Sequence, residues 1–150
     1  MKILLLCCFF AVLSVCAGEP LFRKYPAHTI RSNTTFRDGS GRYAGSAYRS
    51  GNNVIYRDGS GRIVCTAYQS GSNITYRDGS GRIIGSEYVN DNRSTFRDGS
   101  GKISGTSTTS NGQTIYRDGS GRYSGTRRDN GKRSTFRDGS GRISGTSNSL

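Results

Sequence analysis

Apolar and polar positions in this chain recur with a fixed period of 20 residues. Aromatic residues stand at Phe36, Tyr56, Tyr76, Phe96, Tyr116 and Phe136. Isoleucine or tyrosine follows at Tyr43, Ile63, Ile83, Ile103, Tyr123 and Ile143, and two positions later comes glycine (Gly45, Gly85, Gly105, Gly125, Gly145) or, once, Cys65. Between them lies Arg37-Asp38-Gly39-Ser40-Gly41-Arg42, repeated at 57–62, 77–82, 97–102, 117–122 and 137–142 with Lys102 as the only substitution. Such a period marks a repeat protein, in which one unit cannot bury its apolar side alone. No 3.6-residue apolar period is present, so the elements are strands. Each repeat holds two β-prone runs, such as Ile74-Thr75-Tyr76-Arg77 and Arg82-Ile83-Ile84-Gly85-Ser86. Asp-Gly-Ser-Gly joins them: aspartate opens a turn by accepting backbone N–H bonds, and the last glycine supplies positive φ. Ser50-Gly51-Asn52-Asn53 and its equivalents are turn-formers at the other end.

The pattern predicts an all-β fold of tandem 20-residue repeats forming an antiparallel β-hairpin array of up to twelve strands. A four-residue loop pairs Arg37 with Arg42 and Phe36 with Tyr43. Alternation then gives an aromatic face of Phe36, Tyr43 and Gly45, and a cationic face with both arginines, Thr35, Ala44 and Ser46. An aromatic over a cross-strand glycine restores packing that the glycine lacks. The alternative is a β-solenoid with one coil per repeat, for which the absence of insertions speaks. That alternative stacks like charges about 4.8 Å apart, at a cost of about 1 kcal/mol per close pair in water. Turn chemistry and charge favour the hairpins.

Composition adjusts this picture. Hydrophobic residues make up 31% of the 150, and tryptophan is absent, so a thick core is not expected. Residues 1–17 read as a signal peptide, with Met1-Lys2 ahead of an apolar run from Ile3 to Val15, and cleavage after Ala17 or Gly18. The expected product is exported: secreted, periplasmic or on the cell surface, with no membrane span. Residues 18–33 read as an extended leader carrying Pro20, Pro26, an Arg23-Lys24 pair and the one histidine, His28, which reads as a solvated linker residue. The repeats follow as 34–53, 54–73, 74–93, 94–113, 114–133 and 134–150. Removing Cys7, Cys8 and Cys16 with the signal leaves Cys65, either buried or in an intermolecular disulfide. Asn33, Asn73 and Asn92 begin glycosylation sequons.

The formal charge is +12, which attracts polyanions. The hexapeptides contribute a periodic row of twelve cations: Arg37, Arg42, Arg57, Arg62, Arg77, Arg82, Arg97, Lys102, Arg117, Arg122, Arg137 and Arg142. These are the candidate contacts to an acidic glycan, lipopolysaccharide, teichoic acid or nucleic acid. Nothing points to an enzyme or to a cofactor. Serine catalysis needs a nearby base, paired-carboxylate catalysis needs differing environments, and the six aspartates share one context. One carboxylate per turn is too few for a calcium loop. Ice binding needs unbroken threonine ladders, which Ala44, Val64 and Ile84 interrupt.

Asp138, Gly141, Arg142 and Ile143, with their copies, resemble the core of the YD repeats of Rhs-type proteins, and Asp129-Asn130-Gly131 resembles the turn before it. Arg137 and its copies depart from that pattern, where tyrosine adjoins the aspartate. The resemblance implies hairpin repeats on an exported protein. YD arrays wrap into shells; six repeats are expected to be too few to enclose anything. The expected function is a non-enzymatic structural or adhesive surface role, with polyanion binding as the alternative and self-association through open sheet edges as a further expectation.

Overall fold

The computed structural model describes residues 25–150. The expected signal segment and the Arg23-Lys24 pair lie outside the described residues. Twelve strands follow in pairs, two per repeat: β1 (Thr34–Asp38), β2 (Tyr43–Ser50), β3 (Asn53–Asp58), β4 (Ile63–Ser70), β5 (Asn73–Asp78), β6 (Ile83–Asn90), β7 (Arg93–Asp98), β8 (Ile103–Ser110), β9 (Gln113–Asp118), β10 (Tyr123–Asn130), β11 (Arg133–Asp138) and β12 (Ile143–Ser149). All neighbouring pairs are antiparallel, as hairpins require and a one-coil solenoid forbids. The hairpins do not form an open array. β1 pairs with β12, Thr34 opposite Ser149 and Asp38 opposite Gly145, and the sheet closes into a barrel.

Closure corrects two expectations. Six repeats do enclose a lumen, because each hairpin adds twist and curvature to the sheet until its ends meet. The open edges on which self-association rested are absent among the described strands, since the last strand satisfies the first.

Register explains which residues are inside. Phe36 lies opposite Gly45, Tyr76 opposite Gly85, Phe96 opposite Gly105, Tyr116 opposite Gly125 and Phe136 opposite Gly145; Tyr56 faces Cys65. All six rings are buried and line one level of the lumen. The pairing of Phe36 with Tyr43 is corrected. Arg37 pairs with Tyr43 and Phe36 with Gly45, leaving Ala44 as the extra residue of a β-bulge. One inserted residue reverses the side to which everything beyond it points. Tyr43, Ile63, Ile83, Ile103, Tyr123 and Ile143 therefore face outward beside the arginines, between 42% and 48% exposed. Arg37 faces Tyr43 and, on its other side, Thr146, so the expected pairing of Arg37 with Arg42 does not form.

At the opposite end, two-residue turns join the repeats, as between Ser50 and Asn53. Their first central residue has positive φ: Gly51, Gly71, Asp91, Asn111 and Gly131. At Asn111-Gly112 both residues do, the requirement of a type I′ turn.

The described part of the leader, residues 25–33, is not an arm in solvent. Tyr25 packs against Phe36 and Phe136, with ring centroids 4.1 Å and 4.7 Å apart. Ala27–Thr29 forms a 3-10 turn inside the barrel. Tyr25, Ala27 and Ile30 join the core together with Val54, Ala67 and Ile74. A barrel too wide to fill from its own strands takes in its own N-terminal segment as the missing core.

Candidate functional site

The six hexapeptide loops lie at one end of the barrel, because every first-to-second strand connection of a repeat runs the same way. The Asp38 N–H donates to the Arg42 carbonyl at 2.9 Å and the Gly41 N–H to the Asp38 carbonyl at 3.0 Å. Gly41 has φ +85°. This is a three-residue loop, a type I turn closed by a left-handed residue, one residue tighter than expected. Asp38 Oδ1 accepts the Ser40 hydroxyl at 2.7 Å and the backbone N–H groups of Ser40 and Arg42 at 2.9 and 3.0 Å. The same three bonds recur at Asp58, Asp78, Asp98, Asp118 and Asp138. Led by the serine hydroxyl, they hold all six carboxyls below the usual aspartate value.

The arginine before each aspartate staples its loop: Arg37 Nη1 donates to the Gly41 carbonyl at 2.9 Å, and the equivalent bond forms in every copy. Arg42, Arg62, Arg82, Lys102, Arg122 and Arg142 are exposed at the loop ends. The structure thus brings the twelve sequence-predicted cations to one rim, as a ring rather than the expected row. Each loop also leans on the neighbouring repeat. A Cβ on Gly39 would come 2.6 Å from the Ile143 carbonyl oxygen, and one on Gly119 would come 2.7 Å from that of Ile103. Close approach therefore requires glycine at Gly39, Gly79 and Gly119, and positive φ requires the last glycine of every loop.

The lumen holds a second group of polar residues, which the sequence reading missed. Glu87 is buried and accepts the Tyr76 hydroxyl at 2.7 Å; the same hydroxyl accepts the Ala27 N–H at 3.0 Å. His28 Nδ1 lies 2.7 Å from Glu87 Oε1, close but not aligned as a hydrogen bond. The Tyr56 hydroxyl donates to the Tyr25 carbonyl at 2.8 Å, and Arg49 donates to the carbonyls of Ala27 and Ile30. Burial, the largest cause, pushes the phenols of Tyr56 and Tyr76 well above their usual value. His28 is thus a leader anchor and not a solvated linker residue. The available signal was Glu87, an acid standing where the equivalent repeats have Ala47 and Ala67.

In repeats four to six the inward positions beside the aromatic level are all polar: Ser94, Thr114 and Ser134 stand where the first three repeats have Thr34, Val54 and Ile74, and Ser107, Arg127 and Ser147 where they have Ala47, Ala67 and Glu87. The leader does not fill this half. A cavity of about 690 Å³ opens there at the two-residue-turn end, lined by His28, Thr109, Thr114, Arg127, Asp129 and Ser134, among others. Arg127 Nε donates to Asp129 Oδ1 at 2.7 Å, and the Ser134 hydroxyl donates to the same oxygen at 2.6 Å.

Cys65 is fully buried on the lumen side, and its sulfur is already disulfide-bonded in the single chain, so it is not presented to a second copy. Among the described residues, no group of three or more His, Cys, Asp or Glu side chains is gathered as a metal site. No described helix is long and apolar enough to cross a membrane.

No family model matches the chain, and no curated protein matches it. Among solved structures, a protein from Arabidopsis thaliana superposes with a TM-score of 0.50 at 11% identity, over 78% of this chain and 79% of that one. That likeness speaks to the fold alone. The YD resemblance gains no support from these comparisons beyond the all-β hairpin architecture itself.

Proposed function

We propose that the protein is a non-enzymatic, exported adhesive module that holds polyanionic material through its hexapeptide rim. One observation carries the proposal: twelve cationic side chains ring a single end of the barrel, while the six aspartates among them turn a carboxylate oxygen into the loop backbone. The aspartates are held by serine hydroxyls and N–H groups, so they reduce the net charge of the rim without occupying its guanidinium groups. Arg42 and its equivalents are the strongest candidates for contact, because Arg37 and its copies also brace the loops. The signal-like N-terminal sequence supports export.

Binding to immobilised heparin across a salt series tests the proposal. The expected result is retention at low salt, lost progressively as ionic strength rises. Replacing Arg42, Arg62 and Arg82 by serine should lower the eluting salt concentration while leaving the β spectrum intact. No retention at low salt, or unchanged elution of the triple variant, would overturn it.

A further inference from the structure

We infer that the rim docks on an anionic lipid bilayer, with Tyr43, Ile63, Ile83, Ile103, Tyr123 and Ile143 entering the boundary between headgroups and acyl chains. The inference rests on the polyanion reading above and names the partner. It begins with the bulge at Ala44 and its copies, which turns a side chain expected in the core out to solvent in all six repeats. Apolar exposure elsewhere on the barrel lacks this regularity. Outward positions in mid-strand are mostly hydroxyl-bearing: Thr35, Thr75, Thr95 and Thr135 on the first strands of repeats, with Ile55 and Ile115 as exceptions. At the far end Tyr48, Tyr68 and Tyr88 are exposed, but Thr108, Arg128 and Asn148 take their place in the last three copies. Among the outward-facing positions of the described residues, the rim alone keeps a large apolar side chain in every repeat.

Geometry selects a flat partner. A closed ring of equivalent hairpins returns to its starting level, so the six apolar side chains lie at one height above the loop tips. A thread-like polymer crosses only an arc of such a ring, whereas a plane touches all of it. Each isoleucine or tyrosine stands one residue beyond the loop-end cation, at a depth of roughly 3–7 Å from the tip at the rise of a strand. That overlaps the shallow end of the roughly 5–10 Å to which interfacial elements sink into a bilayer. Chemistry selects lipid over nucleic acid or glycan, because only lipid offers an apolar phase beneath its phosphates. Arg37 beside Tyr43, and its copies around the ring, pair a cation for the headgroup with an apolar group for the acyl boundary.

The test is co-sedimentation with vesicles of phosphatidylcholine alone and of phosphatidylcholine with phosphatidylglycerol, run beside the heparin column. The expected result is binding to the anionic vesicles only. The Ile63→Ser, Ile83→Ser, Ile103→Ser variant should bind them about tenfold more weakly or worse and elute from heparin as the parent does. Because the chain has no tryptophan, Tyr43→Trp supplies a depth reporter that does not depend on the folding of the triple variant. Its emission should shift to the blue on anionic vesicles and be quenched by brominated lipid. Heparin retention without vesicle binding overturns the lipid inference and leaves the polyanion reading standing. Failure of both overturns both. Full vesicle binding by the triple variant shows that apolar insertion does not occur and overturns the inference. So does an indole emission from the Tyr43→Trp variant that stays unmoved when vesicles bind.

Discussion

At the scale of single residues, the aspartate of each hexapeptide decides whether its loop is made. One carboxylate oxygen satisfies two backbone N–H groups and a hydroxyl that would otherwise turn to water. Protonation weakens all three bonds at once, and six copies respond together. The folded value lies below the unfolded one, so this contribution is complete above about pH 4, the value of a free aspartate, and is lost as pH falls through the depressed folded value. The expected outcome is a urea midpoint that holds steady from neutral pH to about pH 5 and falls below about pH 4. A midpoint flat down to about pH 2, below the free aspartate value, would show that the loops do not depend on their carboxylates. The loop residues were legible in the sequence because turn chemistry is local. Glu87 and His28 were not read as partners, because 59 positions separate them in the chain and only the folded lumen joins them.

At the scale of the element, the hairpin is a tight turn followed by a bulge. Two-residue alternation was correct on the first strand of each repeat and failed at the start of the second, where the bulge lies. Counting from Phe36 through the loop put Tyr43 on the same face, since nothing in the composition of Ala44, Val64, Ile84, Ser104, Ser124 and Ser144 marks an inserted residue. A marker does exist in the next position. Gly45 and Gly125 have φ of +150° and +153°, and a Cβ on either would come 2.3 Å from the carbonyl oxygen of Arg57 or Arg137. Cys65 shows that the same slot accepts a side chain where the backbone is not so constrained. Gly45→Ala is therefore expected to destabilise the protein by about 2–3 kcal/mol. Chemical denaturation would measure this, and a change of less than about 0.5 kcal/mol, the range of neutral surface substitutions, would mean that the bulge relaxes freely.

At the scale of the whole molecule, the strands pair with one another all the way round the sheet, and the N-terminal segment fills half of the enclosed space. The fold class and strand count were legible from the period. Closure was not, because each repeat specifies its pairing with the next, whereas the meeting of first and last depends on accumulated twist. The partition of the lumen is visible once the inward positions are known: Val54 and Ile74 lie on the leader's side and Ser94, Thr114 and Ser134 on the open side. With no unpaired edge among the described strands, the protein is expected to sediment as a monomer across concentrations in the absence of a polyanion or membrane. Concentration-dependent growth under those conditions would mean that some strand pairing is open in solution.

Ring closure also reaches back to the gene. In an open tandem array, unequal recombination can add or delete a unit at little cost, because a new end resembles the old one. Here one extra or missing unit would change the girth of the ring, break the seam between β1 and β12, and leave the Tyr25–Ile30 plug loose or crowded. The number of copies is thereby set by topology, and length variation that linear repeats tolerate becomes a folding lesion.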